Sequence, residues 1–179
     1  MKNKNILITG GAGFIGSHLA KALVQDNRIT IVDNLERGSL QFIEELKNRV
    51  FLFIGDLKDP LFCDQVFNSS YDVVIHMASK VGGIGYYTSK PYEVINEMTL
   101  IDANVLRSTL KYNIPHYLYA SSAHVYPIEL QGEVDSIPIK ECQAYPSNPE
   151  LSYGWAKLIG EKQIEYASSE NKNFTAAIA

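Results

Sequence analysis

Cysteine is scarce in this chain, with only Cys63 and Cys142 among 179 residues. The two have no metal-like spacing and no further cysteines beside them. That excludes a zinc knuckle or a disulfide framework, and both read as free thiols of a reducing cytoplasm. Long apolar runs are also missing: none reaches the roughly eighteen residues a membrane span needs. The start, Met1-Lys2-Asn3-Lys4-Asn5, passes straight into a strand-like run, so neither a span nor a secretory leader is expected. Basic charge is in short supply, with 16 Lys and Arg against 20 Asp and Glu and a net charge of −4. No polybasic run occurs, which argues against non-specific nucleic-acid binding. Repeats and low-complexity segments are absent.

What is present describes one globular domain with a full core. Hydrophobic residues make up 46% of the chain and charged ones 20%, too apolar for a disordered chain. Short apolar runs rich in β-branched and aromatic residues recur at Ile6–Ile8, Ile29–Val32, Val50–Ile54, Val73–Ile75, Tyr117–Ala120 and Phe174–Ile178. Being apolar on both faces, they suit strands buried in a parallel sheet. Helical periodicity lies between them. Ile15, Leu19 and Leu23 share one face of a first helix, and Leu40, Ile43, Glu44 and Lys47 suggest a second. A short third spans Leu61–Phe67, a long fourth Tyr92–Tyr112 and a fifth Leu151–Ala167. Strand and helix alternating in this way predict an α/β fold with a doubly wound parallel sheet, helices on both faces. The longest loops follow the fourth strand (79–87) and the fifth (121 to about 148). They lie at the carboxyl ends of strands, where open α/β sheets bind ligands.

The first strand leads into Thr9-Gly10-Gly11-Ala12-Gly13-Phe14-Ile15-Gly16. Glycine permits the tight turn and a close backbone approach to a pyrophosphate, and free N–H groups at the helix start receive the anion. Asp33 ends the second strand twenty residues past Gly13. A carboxylate there suits the hydroxyls of an adenosine ribose and repels a 2′-phosphate, favouring NAD over NADP. Arg37 nearby is the residue suited to NADP. Asp56 ends the third strand, as a contact to adenine or as a helix N-cap.

Tyr153 and Lys157 lie four residues apart at the start of the fifth helix, which puts phenol and ammonium on one face. A phenol with an ordinary value near 10 is a poor base at neutral pH. A neighbouring ammonium, together with the positive nicotinamide of an oxidised cofactor, would favour the phenolate, which could take a proton from a sugar or alcohol hydroxyl while hydride leaves for the cofactor. Ser121 and Ser122 end the fifth strand and point a hydroxyl toward the same mouth. The other polar candidates have plainer readings. His18 is a helix-surface residue, His76 supports the cofactor-binding backbone, His116 is solvated, and Asn104 is a buried polar bridge. Tyr86 and Tyr87 either stack on substrate or cover the core.

Together with Val32-Asp33-Asn34, Gly55-Asp56-Leu57, His76-Met77-Ala78-Ser79 and Ser121-Ser122-Ala123-His124-Val125-Tyr126-Pro127, these residues resemble the extended short-chain dehydrogenases/reductases, the NAD-dependent nucleotide-sugar epimerases, dehydratases and reductases. The resemblance runs from residue 6 to 157. It implies a Rossmann domain over 1–179 and a catalytic triad of Ser122, Tyr153 and Lys157. Cofactor contacts are implied at Gly10, Gly11, Gly13, Phe14, Ile15, Gly16, Asp33, Asn34, Asp56, Leu57, Met77, Ala78 and Ser79. Val81-Gly82-Gly83-Ile84-Gly85 and 122–127 look closest to GDP-mannose 3,5-epimerase and GDP-fucose synthase, and so favour a GDP-sugar. Those enzymes carry a Cys acid/base where this chain has His124, and an imidazole is a side chain that can move the same proton. Ala123-His124 replaces the Asp-Glu pair of 4,6-dehydratases. A galactose-type 4-epimerase, needing only the triad, and a non-catalytic dinucleotide module are the alternatives. The resemblance also implies a homodimer through the fourth and fifth helices, and a smaller substrate domain after the sixth strand. The chain ends at that strand, so truncation before the substrate domain is expected, leaving an inactive cofactor-binding portion. No metal site is expected.

Overall fold

A computed structural model describes residues 1–131 and 138–179 of the chain; the remaining part of the long loop after the fifth strand lies outside them. Six strands, β1 (Asn5–Thr9), β2 (Arg28–Asp33), β3 (Val50–Ile54), β4 (Val73–His76), β5 (His116–Tyr119) and β6 (Thr175–Ile178), form one parallel sheet in the order β3-β2-β1-β4-β5-β6. Five helices connect them: α1 (Phe14–Leu23), α2 (Pro60–Phe67), α3 (Ile84–Ser89), α4 (Pro91–Lys111) and α5 (Ser152–Glu170). The six expected strands are all present, within a residue or two of the sequence reading.

Alternation along the strands divides the core in two. Ile6, Ile8, Ile29 and Ile31 face α1 and the turn at Leu40–Leu46. Leu7, Val32, Val74, Tyr117 and Tyr119 face α2, α4 and α5. The central strands are thus covered on both faces, and the chain reverses direction of winding between β1 and β4, where strand order switches and a cleft opens.

Four expectations are corrected. Of Ile15, Leu19 and Leu23, the last two pack half-buried against the core but Ile15 is 60% exposed, and the fully buried positions of α1 are Gly16, Ser17 and Ala20. The helix presses so closely on the first turn that a Cβ on Gly16 would lie 2.3 Å from the Gly10 carbonyl, so only small residues fit beneath it. The second helix is a 3₁₀ segment, Leu40–Leu46, capped by Ser39 and burying only Ile43 and Leu46. β3 is not buried on both faces, because it is an edge strand with one neighbour: Phe51 and Ile54 are exposed. The stretch read as a loop after β4 contains α3, whose N-cap Gly83 accepts from the backbone N–H groups of Tyr86 and Tyr87.

Candidate active site

The carboxyl ends of β1, β2 and β4 enclose a cavity of about 400 Å³. Its floor is the glycine turn. Gly10 has φ +66°, in the left-handed region, and a Cβ there would meet the Ala78 backbone nitrogen at 2.7 Å. The N-cap of α1 is Gly13, which offers no side chain to the first N–H groups of the helix. Phe14, Ile15 and Gly16 line the cavity, so those unpartnered donors face the space a pyrophosphate would take. Of the expected cofactor contacts all but Gly11 line it; Gly11 is buried below, with Ile31 where a Cβ would go.

Asp33 sits on the wall, and its carboxylate first braces the turn. Oδ2 accepts from the Ala12 N–H at 3.0 Å and Oδ1 from the Leu35 N–H at 2.9 Å. A carboxylate has room for further donors on the same oxygens, which is what a ribose diol supplies. Gly38 makes this possible, since a Cβ there would lie 2.7 Å from Asp33 Oδ1. The sequence reading missed Gly38, and also Phe42 and Ile101, which turn apolar side chains into the cavity. Phe42 was legible only as one more residue of a helix that proved to be a 3₁₀ turn. Asp56 lines the cavity and accepts from the Lys58 N–H at 2.8 Å. It is not an N-cap; Asp59 caps α2 instead. Glu36 and Lys80 meet at 2.5 Å, joining the loop after β2 to the loop after β4 at the cavity rim.

A second group gathers at the end of β5, beside the cavity and outside its lining. Ser122 caps a short turn and accepts from the His124 N–H at 3.2 Å. A Cβ on Gly154 would lie 2.2 Å from the His124 carbonyl, so glycine lets the start of α5 close onto this turn. That approach sets the imidazole of His124 edge-on to the phenol ring of Tyr153, centroids 5.8 Å apart. Tyr87 lies on Tyr153's other side at 5.0 Å. Both Tyr86 and Tyr87 are half-buried and pack with Val94, Met98 and Ala156.

Lys157 is buried. Its ammonium donates to the Ala120 carbonyl at 2.8 Å and lies 4.6 Å over the Tyr119 ring. Burial pushes the Lys157 ammonium down from its ordinary value, opposed by the charges of Asp102 and Glu161. In the chain without cofactor Tyr153 is held above the ordinary tyrosine value. Burial, then the neighbouring Tyr87, pushes the Tyr153 phenol up, and only the Ser122 hydroxyl pulls it down.

The remaining histidines follow their plainer readings. His18 is exposed and His116 begins β5 in solvent. His76 is fully buried and bonds Thr9 Oγ1 at 2.6 Å, while Thr9 Oγ1 accepts from the Ala78 N–H at 3.2 Å. Asn104 donates to the carbonyls of Leu57 and Lys58, holding the loop after β3. Asp102, which the sequence reading passed over, bonds His76 at 3.0 Å and Tyr119 at 2.5 Å. Its signal was a charge inside an apolar helical stripe of Val94, Met98, Ile101 and Val105. Cys63 is buried and Cys142 exposed, both free. Among the described residues no metal-binding cluster occurs, and no helix is long and apolar enough to cross a membrane.

Residues 6–179 match the model of the NAD dependent epimerase/dehydratase family. The chain is 35% identical to putative UDP-arabinose 4-epimerase 4 of Arabidopsis thaliana, over 89% of its own length and 37% of the relative's. It is 31% identical to GDP-mannose 3,5-epimerase of the same plant, over 97% of its length and 44% of the relative's. The UDP-glucose 4-epimerase of Bifidobacterium longum, solved in complex with NAD+ and UDP, superposes with a TM-score of 0.80 at 26% identity, covering 97% of this chain and 52% of that one. The chain therefore spans about two fifths of the length of these curated relatives and half of the solved one. UDP-sugar and GDP-sugar enzymes both occur among them, so the expected leaning toward GDP finds no support.

Proposed function

Since this chain belongs to the NAD dependent epimerase/dehydratase family, we propose that it holds NAD in the cavity at the carboxyl ends of β1, β2 and β4 and works on a nucleotide-sugar beside it. The observation that carries this reading is the convergence of Ser122, His124 and Tyr153 at the end of β5, the strand next to the one whose Met77-Ala78-Ser79 extension walls the cavity. The glycine turn and the bare start of α1 would hold the pyrophosphate, and Asp33 the adenosine ribose. NAD, when bound there, supplies a hydride acceptor.

The chain's own part is proton handling. Tyr153 takes the proton of the sugar hydroxyl, and Ser122 holds the same oxygen through a hydrogen bond. Lys157, fixed on the Ala120 carbonyl, contributes positive charge toward the phenol. His124, against the edge of Tyr153, stands where it can move a proton at a carbon next to a ketone. A 4-epimerase needs no such group, because the hydride and the hydroxyl proton removed at one carbon are both returned there, and no proton is taken from a neighbouring carbon. The presence of His124 in contact with Tyr153 favours 3- or 5-epimerisation, and the 4-epimerase is the second reading.

Isothermal titration of NAD into the chain tests the cavity; no binding at millimolar NAD would refute the reading. Turnover of UDP- and GDP-hexoses in deuterated water, by a protein carrying these residues, separates the two chemistries. Deuterium at a ring carbon supports His124 chemistry, whereas inversion without deuterium supports the 4-epimerase.

A further inference from the structure

A chain of buried polar groups runs from the cofactor cavity to Lys157, and its donors and acceptors pair completely when His76 is neutral. The Ala78 N–H donates to Thr9 Oγ1 at 3.2 Å, so the Thr9 hydroxyl is free to donate onward to His76 Nδ1, 2.6 Å away. His76 then carries its hydrogen on Nε2 and donates it to Asp102 Oδ1 at 3.0 Å. Tyr119 donates its hydroxyl to Asp102 Oδ2 at 2.5 Å. Every group is satisfied when Asp102 is a carboxylate and His76 is neutral. The cluster then holds one negative charge away from water, with Asp102 only 3% exposed.

Such a charge needs a partner. Among the described residues the buried lysine is Lys157, itself 3% exposed and lying over the face of the same Tyr119 ring whose hydroxyl Asp102 holds. A Cβ on Gly160, one turn along α5 from Lys157, would lie 2.3 Å from the Tyr119 hydroxyl and 3.0 Å from Asp102 Oδ2. The glycine is what lets α5 and α4 close on this point.

We propose that Asp102 is the buried counter-charge of Lys157, acting through Tyr119: it orients the ring on which the ammonium rests and keeps that ammonium protonated. Asp102 is a positioning residue and touches neither substrate nor cofactor. Other groups face Lys157 as well. Glu161 lies on its own helix, half-buried and bonded to the Ser121 hydroxyl. Tyr153 lies one turn before it, Tyr119 comes from β5 and His76 from β4. Glu161 is reached by water, which screens it, so Asp102 dominates. The proposal rests on the functional reading only in that Lys157 serves Tyr153; the charge of Lys157 is measurable without any substrate.

The experiment is NMR of the whole chain labelled with 15N-lysine, following Lys157 Nζ against pH in the native protein and in Asp102→Asn and Glu161→Gln. Lys157 should lose its proton about one pH unit or more lower in Asp102→Asn, and move less in Glu161→Gln, with the amide spectrum otherwise retained. An unmoved Lys157 in Asp102→Asn, or a larger movement in Glu161→Gln, overturns the proposal. If Asp102→Asn does not fold, the native protein decides: the 13C shift of the Asp102 carboxyl should be that of a carboxylate at pH 7, and a protonated carboxyl there overturns it.

Discussion

The His124 imidazole and the Tyr153 ring stand perpendicular to each other, with centroids 5.8 Å apart and an interplanar angle of 89°. The contact exists because Gly154 lets the first turn of α5 rest on the His124 carbonyl, where any Cβ would be 2.2 Å from the oxygen. Two titratable groups on different elements are thereby held at one mouth.

If Tyr153 is the base, Tyr153→Phe removes it with little change of shape. In a protein carrying these residues, turnover should fall about 10²- to 10⁴-fold, while NAD titration gives the same affinity. In His124→Ala the hydride chemistry should persist and solvent deuterium incorporation should disappear, read by mass spectrometry of the sugar. Persistent incorporation would show that His124 does not move the proton.

Burial raises the Tyr153 phenol, and the charge that Tyr87 acquires when it ionises adds to this. Ultraviolet difference titration should therefore place Tyr153 above ordinary tyrosines in the chain without cofactor, and Tyr87→Phe should bring it down.

Gly16 and Gly85 make a paired test of close approach. Gly16→Ala would set a methyl 2.3 Å from the Gly10 carbonyl and 2.8 Å from the Gly11 Cα, backbone on both sides. It should cost about 1–3 kcal/mol of stability and weaken NAD. A Cβ on Gly85, within α3, meets nothing inside 4 Å. Gly85→Ala should be neutral or stabilise by up to about 1 kcal/mol. Urea midpoints for both variants decide it.

Asp33 braces the glycine turn through Ala12 as well as facing the cavity. Asp33→Asn should weaken NAD by about 1.5–3 kcal/mol and narrow the gap between NAD and NADP. Calorimetric titration of both cofactors is the measurement. Equal NAD binding by the variant would remove Asp33 from the ribose site.

Stability should decline in alkali. The Cys63 thiol is pushed up by burial from about 9 to about 11, and burial likewise raises the Tyr71, Tyr117 and Tyr119 phenols. Groups raised in the folded state lend stability that is complete below their unfolded values and is lost as pH climbs through the folded ones. For Cys63 that window runs from pH 9 to about 11, and for the tyrosines it opens near pH 10. Lys157, lowered by burial, has the opposite sign and is outnumbered. The urea midpoint should fall between pH 9 and 11, less steeply in Cys63→Ala.

By itself the sequence determined the features whose causes are local. Short β-branched runs between helical periods specify strands; the glycines before α1 specify a tight turn; an acidic residue closing β2 and a Tyr and Lys four apart on α5 follow from spacing alone. Where a helix or strand sits among its neighbours is a different matter. The fully buried positions of α1 are Gly16, Ser17 and Ala20 because the glycine turn lies against the helix too closely for a side chain at Gly16, and Phe51 lies in solvent because β3 has one neighbour. Asp102 looked like a misplaced charge in an apolar stripe until β4 and β5 brought His76 and Tyr119 to it. The proton affinities of Tyr153 and Lys157 were likewise decided by the tertiary structure. Burial and the field of distant residues set them, and neither is a property of sequence spacing.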